Sequence, residues 1–416
     1  MKWFARAGAS SDEIEMAKGT EGQLIDKMIK MSVHNRRMLF IVAYGLYVFG
    51  SAFESTTFNG IGLIDKNLIC NLAQIAALLL FIVKIFTQTY EPRHIAWIAV
   101  GGALSAVSVT VTRDYTVAWA TLFIIAAQDV TLEDAAKVVS YTTLLVCLLA
   151  LVGWATGFNS NVIAARDNGL LRYALGFGHT NRLAACIAIT CVSWIASHAR
   201  NLRKRDLLIL AATAALVYVL TNSRTTVASL MVFFAVVAYE IYANRGVSPA
   251  ACLVLMIVAA VGSLFLMFGY ELLPMDWQGA FNSILTYRPY YFASYLHELG
   301  ITLFGSNLAA TNIQYVPGVE AGIVIDNSYV ALLLGKGVVV FALLLGLYAM
   351  CFRGARDNGV YASFCLAMVY FLVCGFAENT LASIATNFCT MGIAYLLYGS
   401  PAEPVCGLRA KEGRYE

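Results

Sequence analysis

The clearest candidates for chemistry are two arginines that stand in polar interruptions of a very apolar chain. Arg224 follows Thr221-Asn222-Ser223 at the start of an apolar run, and Arg288 lies early in a long polar segment, residues 271–326. Ser223 is a favoured N-cap residue, so Arg224 is expected at the positive end of a helix dipole. A helix N-terminus beside an arginine is a site for an anion, usually phosphate. Contact between Arg224 and lipid headgroups is the alternative interpretation.

The segment 271–326 is the longest polar interruption after the first apolar run, so we expect any chemistry to be concentrated there. Arg288 is the only arginine or lysine in it, and acidic residues outnumber it. Aromatic residues around Arg288 predict a short helix on the outer surface, and they are Tyr287, Tyr290, Tyr291, Phe292 and Tyr295. They would form an interfacial belt or a platform on which sugar rings stack.

The composition predicts an all-α polytopic membrane protein. Hydrophobic residues make up 60% of the 416 residues and charged residues only 13%, a balance that excludes an ordinary soluble domain. A membrane-spanning helix needs about 20 apolar residues, and about twelve runs approach that length. The runs are 38–54, 68–87, 94–112, 115–129, 138–157, 180–198, 207–222, 225–243, 250–270, 327–350, 360–377 and 385–399. We therefore expect a transmembrane domain over 38–399 between polar tails, 1–37 and 400–416.

The distribution of charge predicts the orientation of the chain. With both tails in the cytoplasm, most of the 28 lysines and arginines fall on the cytoplasmic side, as the positive-inside rule requires. The basic residues expected outside or at the outer face are Lys66, Arg113, Arg166, Arg172, Arg182, Arg224 and Arg288. The long polar segment therefore faces out of the cell.

A second group of candidate residues precedes the sixth apolar run. Arg166 and Arg172 lie in the outer segment, and Gly178-His179-Thr180-Asn181-Arg182 leads into the helix. Basic residues on the outer side are exceptions to the positive-inside rule, and an anionic ligand on that side would account for them. Lipid phosphates or nearby carboxylates are the alternative partners. His179 and Arg182 are three residues apart and would share a helix face, although a histidine there also suits a helix cap.

Two local patterns predict specific contacts. Thr131 and Asp134 have the spacing of a capping box, which would start the helix leading into the fifth run. Lys336 lies inside an apolar run, where a charge requires a polar partner. Glu378, in the last outer loop, is the partner we expect for it.

The remaining composition argues against disulfides and metals. The ten cysteines lie almost entirely within apolar runs, and no cluster of cysteine and histidine has the spacing of metal ligands. The first 37 residues are too polar for a secretory signal peptide. We expect no metal, no other cofactor and no nucleic-acid partner.

The order of these motifs resembles the O-antigen polymerase and O-antigen ligase family, of the Wzy type. The resemblance rests on the Gly178-His179-Thr180-Asn181 turn, on Asn222-Ser223-Arg224 at the head of a span and on Arg288 early in one large outer loop. It rests also on Asp326-Asn327-Ser328-Tyr329 before a span that contains glycine. It covers residues 160–350 and extends to the layout of spans.

The resemblance implies glycosyl transfer at the outer side of a bacterial cytoplasmic membrane, by a GT-C-like fold that needs no metal. The donor would be an oligosaccharide on undecaprenyl diphosphate, and a flippase and a chain-length regulator would be partners. Arg224 and Arg288 would stabilise the charge that develops on the departing diphosphate. The residues expected to contact substrate are Arg166, Arg172, His179, Asn181, Arg182, His297, Glu298 and Asn327.

The same reaction needs a base to remove the proton of the acceptor hydroxyl. The ligase branch commonly has a histidine where this sequence has Asp326. Asp326 would act as the base, with its pKa raised in a dry site, or it would only cap the helix that follows. His297 and Glu298 are the reserve candidates.

The first hypothesis is a polymerase that joins lipid-linked repeat units into capsule, exopolysaccharide or O-antigen. The alternatives are a ligase that moves finished glycan to another acceptor, a peptidoglycan glycosyltransferase of the shape and division type, and a secondary transporter. A major-facilitator transporter would have two similar halves and a long central cytoplasmic loop. This sequence has only residues 199–206 in the middle, and its one large loop lies outside and late in the chain.

Overall fold

The computed structural model describes residues 32–60, 65–165, 169–311, 325–355 and 362–399. The helices of the first half are α1 (Val33–Phe53), α2 (Lys66–Phe86), α3 (Pro92–Thr112), α4 (Thr116–Ala126), α5 (Leu132–Ala155), α6 (Thr180–Ala196) and α7 (Lys204–Thr221). Strands β1 (Ile163–Ala165) and β2 (Leu171–Tyr173) form an antiparallel hairpin between α5 and α6. The helices of the second half are α8 (Arg224–Ala243), α9 (Pro249–Gly269), α10 (Met275–Leu285), α11 (Arg288–Leu299), α12 (Ser328–Gly354), α13 (Ala362–Gly375) and α14 (Met391–Tyr398).

The described residues form an α-helical membrane protein, as the composition predicts. Six of their helices are long and apolar enough to cross a membrane, namely α2, α3, α5, α8, α9 with its short extension to Leu272, and α12. Each apolar run identified in the sequence coincides with a helix, but α4, α6, α13 and α14 are shorter than this length. Large apolar side chains such as Leu79 and Val258 point away from the protein, which suits contact with lipid.

At one end of the bundle, ion pairs join the start of α1 to the turn before α5 and to the first turn of α5. Arg36 contacts Asp129 at 2.9 Å and Arg37 contacts Asp134 at 2.6 Å. The predicted capping box is confirmed, because the Thr131 hydroxyl accepts from the Asp134 N–H and the Asp134 carboxylate accepts from the Thr131 N–H. We call this end of the bundle the Arg36 end.

The opposite end, which we call the Arg288 end, gathers the loops that the sequence places outside. The Thr57 N–H donates to the Gly176 carbonyl and the Gly178 N–H donates to the Ser55 carbonyl, both at 2.8 Å. The β1–β2 hairpin is fixed in turn to α7, since Arg172 Nε donates to the Thr221 carbonyl at 2.6 Å. These contacts hold the helix ends that carry the candidate residues against one another.

Helix α12 is interrupted at Gly337, whose φ of 86° is not helical. The backbone of the 302–306 segment supplies the hydrogen bonds that the break would leave unmade. The N–H groups of Val338 and Val339 donate to the carbonyls of Thr302 and Leu303 at 3.0 and 3.1 Å. The Ser306 N–H donates to the Leu334 carbonyl at 3.0 Å. Irregular backbone at this depth is stable because its polar groups find partners inside the protein.

The helix predicted around Arg288 is confirmed as α11, but its aromatic side chains do not form an exposed surface. Tyr291, Phe292 and Tyr295 are buried, and the last two pack with residues of α9 and α12 in a small hydrophobic cluster. The expected belt or stacking platform is therefore wrong for these three residues. Their burial instead anchors α11, and with it the position of Arg288.

Candidate functional site

Five side chains from distant parts of the chain meet at the Arg288 end, and we call them the Arg288 cluster. Arg288 Nη2 lies 3.4 Å from Asp326 Oδ2 and 3.9 Å from Glu378 Oε1. The Thr225 hydroxyl donates to Glu378 Oε1 at 3.4 Å. Arg182 is close enough for its charge to act on Glu378. The cluster thus joins the starts of α6, α8, α11 and α12 to the turn after α13.

Both arginines singled out in the sequence occupy the first residue of a helix. Arg224 begins α8 and Arg288 begins α11. The unpaired N–H groups and the positive dipole end at such positions add to the charge of the guanidinium. Cations are unfavourable there unless a negative group is near, so both positions favour an anion. For Arg288 two carboxylates already supply part of that charge.

The turn that delivers Arg288 is strained. Thr286 and Tyr287 precede it with φ values of 55° and 58°, a left-handed conformation that costs residues with a β-carbon about 1 kcal/mol or more each. The burial of the following aromatic residues on α11 holds the turn in place. Strain of this kind is common where a side chain must be aimed at a site.

Asn327, not Asp326, caps α12. Its side-chain oxygen accepts from the N–H groups of Tyr329 and Val330, and its amide donates to Ser263 Oγ and the Phe376 carbonyl. The residue is 0% exposed, so its amide is committed to protein contacts rather than to a ligand. Because Asn327 caps the helix, the carboxylate of Asp326 is not needed as a cap, and it contacts Arg288 instead.

Ser328 fixes the loop that carries Glu378. Its hydroxyl donates to the Glu378 carbonyl at 2.8 Å and accepts from the N–H groups of Thr380 and Leu381 at 2.9 and 3.0 Å. The start of α12 therefore fixes the positions of both carboxylates of the cluster. Asp326 directly precedes the helix in the chain, and the loop of Glu378 is held by the hydrogen bonds of Ser328. Ser328 is a positioning residue.

The proton affinity of Glu378 is unusual for a carboxyl group. Burial, followed by repulsion from Asp326, raises the pKa of Glu378 to about 7, although Arg288, Arg182 and the Thr225 hydroxyl favour the charged form. Near neutral pH the group is therefore divided between its two protonation states. A carboxyl group in this condition is well matched to accept and release a proton.

Arg224 lies beside the cluster and remains available for a ligand. It is exposed, and within the described part of the chain its guanidinium has no ion-pair or hydrogen-bond partner. The next residue, Thr225, contacts Glu378. Ser223 is confirmed as the N-cap residue of α8, although its hydroxyl contacts Thr226 Oγ1 rather than the backbone.

A first cavity, of about 440 Å³, opens next to the cluster. Among its lining residues are Glu54, Lys66, His179 and Arg182. The two formal positive charges of Lys66 and Arg182 against the one negative charge of Glu54 favour an anionic ligand. His179 is also the N-cap of α6, where its Nδ1 accepts from the Asn181 N–H at 3.1 Å.

Arg172 and Asn181 contact each other beside the first cavity. Arg172 Nη2 donates to Asn181 Oδ1 at 2.5 Å, in addition to its bond to the Thr221 carbonyl. The structure therefore gives both residues a positioning contact between the hairpin, α6 and α7. Arg166, which the sequence groups with them, lies outside the described residues.

The reserve bases of the sequence do not belong to the cluster. His297 and Glu298 are exposed near the far end of α11, roughly 13 Å along the helix from Arg288 at 1.5 Å per residue. His297 Nε2 contacts the carboxylate of Glu271 at 2.8 Å. This surface pair stabilises the end of α11 at most weakly.

Two contacts differ from the sequence-based expectation. Lys336 contacts Asp114 at 2.5 Å, so the expected pairing of Lys336 with Glu378 is wrong. Glu378 belongs to the Arg288 cluster instead. In the sequence, Glu378 is a single acidic residue in an outer loop. That position indicates that the residue needs a partner but does not identify Arg288 as the partner.

The arrangement can bind a polyanion and move a proton within one site. Arg288 and Arg182, both at helix starts, act on a carboxyl group whose pKa is about 7, beside a cavity with an excess of positive charge. Comparisons of the chain with protein-family models, with curated proteins and with solved structures found no match.

Proposed function

We propose that the protein is a membrane glycosyltransferase that joins oligosaccharide units carried on undecaprenyl diphosphate into a surface polysaccharide. The observation that carries the proposal is the Arg288 cluster, in which Arg288 contacts both Asp326 and Glu378 beside Arg182. The motif order that resembles Wzy-type polymerases supports it. The product would be capsule, exopolysaccharide or O-antigen, made with a flippase and a chain-length regulator as partners.

In this reaction the bond between the anomeric carbon and the diphosphate oxygen breaks. The leaving undecaprenyl diphosphate takes the electron pair, so negative charge grows on its phosphoryl oxygens. Arg224, Arg288 and Arg182 stabilise that charge through hydrogen bonds from the guanidinium groups. Loss of one preorganised donor of this type lowers kcat by about 10²- to 10³-fold.

The new bond forms between the anomeric carbon and a hydroxyl of the acceptor, whose proton passes to a base. We assign this base to Glu378, because its proton affinity suits transfer near neutral pH. Asp326 is more exposed, at 37% of its side chain against 17% for Glu378. Asp326 orients Arg288, and its negative charge helps to raise the proton affinity of Glu378.

The proposed topology has about twelve spans in a GT-C-like arrangement, with both tails in the cytoplasm. Supporting it, the start of helix α1 and the end of helix α14 lie at the same end of the bundle, the Arg36 end. Helix α1 starts there, and the Tyr398 hydroxyl at the end of α14 donates to the Ile125 carbonyl at 2.9 Å. The Arg288 cluster then faces outward, on the side of the bacterial cytoplasmic membrane where lipid-linked repeat units are joined.

The glycan size distribution in a strain that lacks the gene tests this proposal. We expect single repeat units on lipid and at the surface where the parent strain has a ladder, with the ladder restored by the intact gene. A ligase would instead leave long chains on lipid that never reach their acceptor. Unchanged glycan in both pools would contradict glycosyl transfer altogether.

A secondary transporter is the second candidate, favoured by the break in α12 at Gly337. Transporters with broken helices bind substrate where the helix is interrupted. Here, however, residues 302–306 close the break, and Lys336 contacts Asp114 in the turn between α3 and α4. The strain that lacks the gene also distinguishes the two candidate functions. If the protein transports an unrelated solute, the glycan ladder in that strain will remain intact.

A further inference from the structure

A second cavity, of about 550 Å³, lies where the break in α12 meets the ends of α1, α3 and α4. Its volume is within the range of roughly 300 to 1,000 Å³ that is typical of small-molecule sites. Ser306 and Asn307 line it because the 302–306 segment is hydrogen-bonded into the break. The two cavities share Ser51 and Glu54, so a ligand could extend from one into the other.

The charges of the two cavities differ. The second cavity is lined by Glu54 and Asp114 and by Arg113 and Lys336, which cancel formally. Lys336 and Asp114 also neutralise each other directly, at 2.5 Å. The first cavity has an excess of positive charge, so a diphosphate is favoured there and an uncharged ligand is favoured in the second cavity.

The lining of the second cavity combines aromatic rings with amide groups. Tyr47 and Trp119 stand with ring centroids 4.5 Å apart and an interplanar angle of 42°, and Tyr115 is 64% exposed. Gln74 and Asn307 add groups that both donate and accept hydrogen bonds. A sugar ring has an apolar C–H face and a rim of hydroxyl groups. The aromatic rings of the cavity suit the apolar face, and its amide groups suit the hydroxyl groups.

We infer that the second cavity is a saccharide subsite that holds the uncharged glycan while the diphosphate lies near Arg182 and Arg288. The inference rests on the proposed function for the presence of a lipid-linked glycan. The break at Gly337 then has a purpose, because it admits the segment that brings Asn307 to the cavity wall.

Binding of free glycan to the purified full-length protein in detergent tests the inference without any reaction. The probe is the repeat-unit oligosaccharide released by mild acid from the producing strain, and calorimetry gives Kd. We expect Trp119→Leu and Gln74→Ala each to weaken binding by about tenfold, through loss of ring contact or of hydrogen bonds. Trp97→Phe, a change on the exposed face of α3, is the matched control and is expected to leave Kd unchanged.

Unchanged Kd in the folded Gln74→Ala variant would overturn the inference, even if Trp119→Leu failed to fold. So would competition by inorganic pyrophosphate, because the oligosaccharide would then share the anion site. If the protein extends chains but shows either of these results, the subsite is wrong and the proposed function stands. If the variants lose binding but the intact protein extends no chain, the subsite stands and the proposed function is wrong.

Discussion

Replacement of Glu378 by glutamine is expected to lower the rate of chain extension by about 10²- to 10⁴-fold, the usual contribution of a general base. Glutamine keeps the shape of the side chain but cannot accept the proton of the acceptor hydroxyl. Burial disfavours the charged form of Glu378, so the uncharged replacement should leave the fold at least as stable at and above neutral pH. The initial rate of polymer formation by equal amounts of membrane-inserted protein measures the effect.

The rate of chain extension should depend on pH through the protonation of Glu378. Since the pKa of Glu378 is raised to about 7, activity of the natural protein should rise with pH through that value, as the base form accumulates. The residual activity of Glu378→Gln should lack this rise. His297→Ala and His179→Asn are the controls for the histidines at the Arg288 end, and both variants should retain this rise. A rise that persists in Glu378→Gln would exclude Glu378 as its origin.

Substitution of Gly337 by alanine is expected to destabilise the protein by about 2 to 6 kcal/mol, from backbone strain and steric overlap together. A β-carbon at Gly337 would lie 2.3 Å from the Gly305 nitrogen and 2.4 Å from the Leu303 oxygen. The φ of 86° at this position also disfavours any side chain. The break would have to widen and release the segment that closes it. Thermal unfolding in detergent, followed by fluorescence, measures the loss.

Gly346 provides the matched control for Gly337 because it lies in the same helix. Among the described residues, no atom outside the adjoining backbone of the helix lies within 4 Å of a β-carbon built there. Gly346→Ala should therefore be neutral or stabilising by up to about 1 kcal/mol, since alanine favours helix over glycine. Equal melting temperatures for the two variants would show that the contact between Gly337 and Gly305 is not a close one.

The helices were predictable from the sequence because they depend on local patterns. Apolar runs, the Thr131 and Asp134 capping box and the Ser223 N-cap are all readable from short spacings. The break in α12 was not predictable in this way. Gly335 and Gly337 are visible in the sequence, but the break also depends on the close approach of Gly305 to the helix backbone, from a position 32 residues before Gly337.

The candidate site was predictable in part. The shared outer placement of Arg288 and Asp326 follows from the order of apolar and polar runs, and the structure brings the two side chains together. The choice of Glu378 as the second partner, and of Asp114 for Lys336, depends on how distant helices pack. Sequence spacing cannot fix such pairs. The burial of the aromatic face of α11 was also not predictable from the sequence, because tyrosines occur both in exposed belts and in packed interfaces.

Chain extension by the purified protein tests the central claim most directly. Lipid-linked repeat units would be supplied in vesicles with the natural protein, with Arg288→Ala or with His297→Ala, and products would be separated by size. We predict a ladder and released undecaprenyl diphosphate for the natural protein and for His297→Ala, and a rate lower by about 10²- to 10³-fold for Arg288→Ala. Failure of the folded natural protein to extend chains would contradict glycosyl transfer, and an Arg288→Ala rate equal to that of the natural protein would contradict the role of Arg288.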